Sequence, residues 1–280
     1  MKIEKAEKLG LCFGVRRAIT MLKEAVSEHG EIETLGPVAH NRLLVETLGG
    51  LGVKLIERPE SAQGKTLAIT THGTTPEVLA EIKARNIQVI DTTCPIVRRA
   101  QTAAKGLAEA GFYVVIFGQA DHSEVKGLLG YTGNRGMAAL SVGQLDDWEK
   151  TPSRLGILSQ TTQTRSAFTD FASQLVSTVG PKTREIRVAN TLCQVTQAQQ
   201  EAAMRLARRS QMMIVIGGRY SANARHLVEI CAPIVETHLV ETDDEVESCW
   251  FSGKQHVGVT AGASTPDEAV DALIARLESL

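Results

Sequence analysis

The 280-residue sequence has almost no charge imbalance, with 30 lysines and arginines against 32 aspartates and glutamates for a net charge of −2. A partner held by general electrostatics, nucleic acid above all, is therefore not expected, and only a local basic groove remains as an option. No apolar run approaches the ~18 residues of a membrane span. The first stretch, MKIEKAEKLGLCFG, has no apolar segment of the signal-peptide kind. The expectation is a cytoplasmic protein with no membrane partner. Low-complexity tracts are missing as well. With 43% hydrophobic and 22% charged residues the chain has the composition of a globular protein, long enough for one large α/β domain or two to three smaller ones. Its five cysteines include no C-x2-C pair, and an odd number cannot all pair within one chain. In a reducing compartment that leaves free thiols, a metal site or catalysis. The G-x-G-x-x-G motif is absent too, so no bound nicotinamide or flavin is implied.

What is present is alternation. Short β-type runs, at Leu67–Thr71, Gln88–Asp91, Tyr113–Phe117, Leu155–Ser159, Glu185–Ala189, Met212–Ile216, Ile234–Leu239 and His256–Thr260, are followed by helical patterns. Val15, Ala18, Ile19, Leu22, Ala25 and Val26 share one helix face, as do Val78, Leu79 and Ile82. This is the pattern of an α/β protein with mainly parallel sheets covered by helices.

Three cysteines recur in one setting: KLGLCFGVRRAI around Cys12, DTTCPIVRRA around Cys94 and VANTLCQVTQAQ around Cys193. Each follows turn chemistry and immediately precedes a helix, where unpaired N–H groups and the positive dipole end favour a thiolate. Cys231 and Cys249 lack such neighbours and read as small buried hydrophobes. Polar loops recur in two further sets: THGTTPEV, GQADHSEV and GGRYSANA in one, and GPVAHN, SQTTQT and TAGASTPDE in the other. Three loops of each kind point to one α/β unit used three times, with boundaries at 13–95, 96–191 and 192–280 together with 1–12. Ligands of such sheets bind at the carboxyl ends of strands, where these loops lie. Three thiolates without an obvious fourth leave zinc with three cysteines and a histidine, or an iron-sulfur cluster with one iron unligated by protein.

Other polar residues allow a plain and a functional reading. Thr265-Pro266-Asp267-Glu268 reads as an N-cap, a proline at N1 and a capping-box glutamate, with Ser264 beside a helix start able to take an anion. Glu124, just after His122, reads by itself as a solvated first-turn residue. His29, His226, His238 and His256 read as surface or hydrogen-bonded histidines.

The motifs LGLCFGVRRAI, GPVAHN, THGTTPEV, DTTCPIV, DHSEVKGLLG, SQTTQT, NTLCQVTQ, GGRYSAN and TAGASTPDE occur in the order seen in the 4-hydroxy-3-methylbut-2-enyl diphosphate reductase family, which the chain resembles over nearly its whole length. The resemblance implies three pseudo-symmetric α/β units in a trefoil around a central 4Fe-4S cluster, held by Cys12, Cys94 and Cys193 with one iron not ligated by protein. It implies reductive dehydroxylation of (E)-4-hydroxy-3-methylbut-2-enyl diphosphate to isopentenyl and dimethylallyl diphosphate, the last step of the methylerythritol phosphate route to isoprenoids. Electrons would come from reduced ferredoxin or flavodoxin. His40, His72, Ser221, Asn223 and Ser264 would hold the diphosphate, His122 would lie near the substrate, Thr161 would fix its hydroxyl side, and Glu124 would deliver protons. A carboxylic acid suits that role when desolvation raises its pKa. Gln119, Ser123, Ala198, Gln199, Tyr220 and Ala222 depart from the family pattern, and Ala222 removes one hydroxyl from the phosphate loop. The departures keep open a paralogous hydro-lyase or reductase acting on another substrate. A non-catalytic cluster-bearing sensor is the remaining alternative.

Overall fold

The computed structural model describes residues 1–145 and 151–280. Among these, in chain order, the elements are β1 (Lys2–Lys5), α1 (Phe13–His29), β2 (Ile32–Leu35), α2 (Arg42–Gly50), β3 (Val53–Ile56), β4 (Thr66–Ile69), α3 (Pro76–Ala84), β5 (Gln88–Asp91), α4 (Pro95–Glu109) and β6 (Tyr113–Phe117). There follow α5 (Ser123–Gly130), β7 (Gly136–Ala139), β8 (Arg154–Ser159), α6 (Arg165–Val179), β9 (Glu185–Val188), α7 (Gln194–Ala207), β10 (Met212–Ile216), α8 (Ala222–Cys231), β11 (Thr237–Val240), β12 (His256–Ala261) and α9 (Asp267–Glu278). None of the described helices is long and apolar enough to cross a membrane.

The strands form three four-stranded sheets, and every pairing is parallel. Two sheets run β3-β2-β4-β5 and β7-β6-β8-β9, so that, counted along the chain within each, the order is second, first, third, fourth. The remaining sheet, β11-β10-β12-β1, has the same order once β1 is counted as its fourth strand. One design is thus used three times, and in one copy the fourth strand comes from the opposite end of the sequence.

The reason these segments are strands differs between centre and edge. The central strands β10 (MMIVI) and β8 (RLGILS) are buried on both faces, the condition under which a parallel strand reads as a near-continuous apolar run. Edge strands need only half of that. β1 is KIEK with both ends exposed, and β7 is GMAA, without any β-branched residue. The expected run Ile234–Leu239 is corrected to β11, because Ile234 and Val235 lie in the turn after α8, where their N–H groups bond to the Cys231 carbonyl at 2.8 and 3.0 Å. Likewise β9 stops at Val188 and β4 at Ile69.

The chain divides into two compact units. One comprises Met1–Thr20, Pro37–Gly52 and Gln194–Leu280 and holds the sheet with β1. Alternation along β10 splits its core: Met212, Ile214 and Ile216 meet Leu273 and Leu277 of α9, while Met213 and Val215 meet Leu206 of α7 and Leu227 and Cys231 of α8. The other comprises Met21–Gly36 and Val53–Cys193 and holds the other two sheets. There Val115 and Phe117 of β6 pack with Phe168 and Phe171 of α6, and Val114 and Ile116 with Ala104 of α4 and Leu128 of α5.

Candidate active site

The candidate residues lie where strands end and helices begin, and the three sheets build these turns alike. After each first strand a glycine N–H bonds to the carbonyl at the end of the second strand: Gly36 to Ile56 at 2.8 Å, Gly118 to Ala139 at 3.1 Å and Gly217 to Val240 at 2.9 Å. A side chain then caps the next helix. Asn41 Oδ1 accepts from Leu44 N at 3.1 Å, His122 Nδ1 from Glu124 N at 3.1 Å, and Ser221 Oγ from Ala224 N at 3.3 Å. The loops therefore group as GPVAHN with GQADHSEV and GGRYSANA, and THGTTPEV with SQTTQT and TAGASTPDE. This corrects the expected grouping, which followed composition instead of position in the sheet.

The cysteine turns follow each fourth strand. Every cysteine N–H reaches back to the loop after the third strand, Cys12 to Ala263 O at 2.9 Å, Cys94 to Thr71 O at 3.0 Å and Cys193 to Thr161 O at 2.8 Å. The sulfurs in turn receive helix-start amides: Val15 N donates to Cys12 Sγ at 3.5 Å, and the N–H groups of Ile96 and Val97 donate to Cys94. Burial pushes the Cys94 thiol above its ordinary pKa, those two amides offset part of the rise, and the nearby Cys193 and Glu124 add to it. Cys94, Cys193 and Glu124 thus share one neighbourhood within a single unit. Donors already aimed at sulfur suit a group that needs thiolates.

The two remaining cysteines separate from this set. Cys231 is wholly buried, and desolvation raises its thiol to about 11, as expected of a core residue. Cys249 is exposed, with Sγ donating to Glu247 Oε2 at 3.6 Å, so the expectation of a buried hydrophobe is corrected there. Its segment lies at the surface, and Trp250 beside it stacks on His238 with 4.0 Å between ring centroids.

In the same unit as Cys94, Glu124 is no solvated first-turn residue, being 2% exposed. Its Oε1 accepts from Thr161 N at 2.7 Å and its Oε2 meets Thr161 Oγ1 at 2.9 Å. Desolvation raises its pKa to about 7 against the lowering effect of both bonds. Because His122 Nδ1 accepts the Glu124 N–H, the neutral ring carries its proton on Nε2. The His122 ring meets His72 edge to face, with 5.5 Å between centroids.

The other unit collects His40, Ser221, Asn223 and Ser264. The His40 loop is pressed on the Gly218 backbone so closely that a Cβ on Gly218 would stand 2.2 Å from the His40 carbonyl oxygen. Burial lowers the His40 pKa, and the Arg225 charge lowers it further, both disfavouring the charged ring. Asn223 is 3% exposed, and neither Oδ1 nor Nδ2 finds a partner among the described residues. A buried amide left open at both ends is an unfavourable arrangement that calls for a partner from outside these residues, such as an ordered water or a bound ligand. Ser264 is buried nearby in sequence from α9, but the expected cap is corrected. Pro266 takes the N-cap position, and the Thr265 hydroxyl donates to Ile216 O at 3.1 Å, tying its loop to the end of β10.

Sequence reading missed the residues that brace these turns. Asp91 Oδ1 accepts from Thr93 N at 3.0 Å and Asn190 Oδ1 from Leu192 N at 3.1 Å, the acceptors standing three residues before Cys94 and Cys193. The matched Asp/Asn-Thr-x-Cys spacing was the available signal.

Comparison with known proteins agrees with this architecture. The family model described as LytB protein matches residues 3–278. The chain is 44% identical over 280 residues to a 4-hydroxy-3-methylbut-2-enyl diphosphate reductase of Dehalococcoides mccartyi strain CBDB1, covering 100% of this chain and 99% of that one. It is 38% identical to a protein of the same name from Pelobacter propionicus, covering 99% and 98%. A solved structure of (E)-4-hydroxy-3-methyl-but-2-enyl diphosphate reductase, described as the terminal enzyme of the non-mevalonate pathway, is similar with 34% identity, full coverage of both chains and a TM-score of 0.72. The fold alone is shared with the E-1-hydroxy-2-methyl-but-2-enyl-4-diphosphate reductase from Plasmodium falciparum, at 22% identity and a TM-score of 0.92 over 98% of this chain and 87% of that one. A chain with this sheet design and these loops in this order, matched from end to end, belongs to the LytB family of 4-hydroxy-3-methylbut-2-enyl diphosphate reductases, a family of oxidoreductases.

Proposed function

We propose that the chain reductively dehydroxylates (E)-4-hydroxy-3-methylbut-2-enyl diphosphate to isopentenyl and dimethylallyl diphosphate, with a 4Fe-4S cluster held by Cys12, Cys94 and Cys193. The supporting observation is the recurrence of one cysteine, with its amide bonded to the neighbouring loop, at the same place in three sheets of one design. The donor set fits the group: three cysteine sulfurs at helix starts, with backbone N–H groups donating to Cys12 and Cys94. When bound, the cluster supplies electrons one at a time and an iron open to a ligand. Of the units read from the sequence, 13–95 contributes Cys94, 192–280 with 1–12 contributes Cys12 and Cys193, and 96–191 contributes the Asn190 and Thr191 turn that precedes Cys193.

In the balanced reaction the allylic C–O bond breaks, the hydroxyl leaves as water, and a C–H bond forms, consuming two protons and two electrons from a reduced ferredoxin or flavodoxin. Glu124 supplies protons. With its pKa near 7 it is substantially protonated at neutral pH, and a carboxylic acid on Oε2 donates to Thr161 Oγ1, freeing the Thr161 hydroxyl proton for the substrate oxygen. The 2.9 Å contact serves in either direction, so Thr161 passes the proton while orienting the hydroxyl. His40, His72, Ser221, Asn223 and Ser264 hold the diphosphate, with Asn223 offering its open amide N–H and Ser221 a hydroxyl at a helix start. His122 is assigned a place near the substrate. The test is anaerobic purification with iron and sulfide counts, followed by turnover of the allylic diphosphate with a chemical reductant. About four irons per chain and both products are expected. An iron-free protein after reconstitution, or reductant-independent dehydration, overturns the proposal.

A further inference from the structure

The three cysteine turns are alike in path and unlike in what holds them. Before Cys94, the Thr92 hydroxyl donates to Ile69 O at 2.5 Å and Asp91 accepts the Thr93 amide. Before Cys193, the Thr191 hydroxyl donates to Ser159 O at 2.5 Å and Asn190 accepts the Leu192 amide. The corresponding positions before Cys12 are Leu9, Gly10 and Leu11. Their match is fixed by the backbone, since Gly10 N bonds to Ala261 O at 3.3 Å as Thr92 N bonds to Ile69 O at 3.1 Å. Leu9 has no side-chain oxygen to accept an amide, and Gly10, at φ +74°, has no hydroxyl to give. The Cys12 turn therefore lacks both local braces.

It has a brace from elsewhere. Gln199 of α7 donates Nε2 to Gly10 O at 2.8 Å. Six residues after Cys12 and Cys94 stand Ala18 and Ala100, each wholly buried, whereas six residues after Cys193 stands Gln199, 3% exposed. The third helix start thus carries a polar side chain at a position that the other two fill with a methyl group. Gln199 Oε1 is buried without a partner among the described residues, an unfavourable arrangement that a methionine of the same length would avoid. The bond made by the other end of the amide accounts for a polar side chain at this position. The turn it holds borders an open recess of about 420 Å³, lined by Lys8, Leu11, Cys12, Phe13, Val195 and Gln199. Apart from the Gln199 bond, the turn keeps its backbone bonds at Gly10 and Cys12 and the exposed Arg16 Nε bond to Leu11 O at 3.2 Å, so Gln199 is its buried side-chain brace.

We infer that Gln199 is the positioning residue for Cys12, clamping its turn through the Gly10 carbonyl in place of the Asx and threonine braces that serve Cys94 and Cys193. The inference rests on the reading of Cys12 as a cluster ligand and concerns the order of that one ligand.

The test compares wild type with Gln199→Met, which keeps length without a donor, and Gln199→Glu, which keeps shape and replaces the donor with an acceptor. In the full-length chain stripped of iron, iodoacetamide labelling is followed at each cysteine by mass spectrometry. The ratio of Cys12 to Cys94 labelling is expected to rise about 5-fold or more in both variants, with core Cys231 unlabelled as before. An unchanged ratio overturns the inference, and so does a rise shared by Cys94 and Cys231, which would make Gln199 a packing residue. In the iron-loaded protein, decay of cluster absorbance under a chelator is expected to be several-fold faster in both variants, and equal decay counts against the clamp. Should wild type hold no cluster at all, the proposed function fails while the labelling ratio still decides the clamp.

Discussion

Glu124 takes the backbone N–H of Thr161 on one carboxyl oxygen at 2.7 Å and meets its hydroxyl with the other at 2.9 Å, so the two residues, 37 apart in sequence, behave as one group. With Glu124 in its proposed role, the acid form is the donor and its pKa is raised to about 7, so kcat should be flat at low pH and fall about tenfold per unit above about 7. Glu124→Gln should bind substrate, lose about 10²- to 10⁴-fold in kcat and show no break at that pH. An anaerobic pH–rate profile of both proteins checks this, and activity within a few-fold of wild type removes Glu124 from proton delivery.

The same burial makes a prediction for stability. The folded pKa of Glu124 lies above the ordinary value of 4.5, so the folded state binds the proton more tightly. Stability associated with it is fully present below about 4.5 and is lost as pH rises through about 7. Glu124→Gln, which never ionises, should therefore gain on wild type with rising pH, by on the order of 3 kcal/mol at pH 8, and should gain nothing near pH 4.5. Denaturant unfolding at the two pH values measures the difference.

Asn223 and Ser221 should part company when each is changed to alanine. Ser221→Ala loses a helix cap and should cost about 0.5 to 2 kcal/mol in stability. Asn223→Ala removes two orphaned polar atoms and should leave the ligand-free protein as stable or more so. Both should raise KM for the diphosphate, each by about 1.5 to 3 kcal/mol, roughly 10- to 150-fold. An Asn223→Ala protein with unchanged KM would point to another anchoring loop.

Gly218→Ala sets a methyl group against the His40 carbonyl, where the obstacle is backbone and cannot turn aside. A loss of about 1 to 3 kcal/mol in stability is expected, together with a raised KM as the His40 loop is displaced. Gly49→Ala, where nothing stands within 4 Å of the new carbon, is the control.

Serine at Cys12, Cys94 or Cys193 should strip or destabilise the cluster, read as lost iron and visible absorbance. Cys231→Ser should keep both while lowering stability by about 1 to 3 kcal/mol, because a hydroxyl enters an apolar core. A normal cluster in Cys94→Ser would refute the ligand assignment.

The fold was legible where burial is complete. Tyr113–Phe117 and Met212–Ile216 read as strands and are strands at those limits, because both faces need apolar side chains. The edge strands β1, β3 and β7 escaped, since a four-residue strand with one open side needs little hydrophobic pattern, and β2, although interior, was too short to register. The site residues were legible as motifs while their partners were not. Nothing local tells that Thr265 turns its hydroxyl to the end of β10 instead of capping α9, or that Gln199 reaches Gly10, because both bonds join segments far apart in sequence. Compositional likeness also misled the grouping of loops, since position relative to the strands, not polarity, decides which are equivalent.

The pairing of β1 with β12 sets Lys2 against His256. On a ribosome, the two sheets built from consecutive strands can close as soon as residues 32–91 and 113–188 have emerged. The sheet completed by β1 must wait until residues 256–261 are made, and its closure spans nearly the whole chain. Cys12 is bonded to Ala263, which is later still. On the proposed assignment, the three ligand thiols therefore cannot be presented together to an incoming metal during translation. Loading would then belong to the finished protein, and a truncation before residue 263 should leave the Cys12 turn without its bond to Ala263 and the chain iron-free after reconstitution.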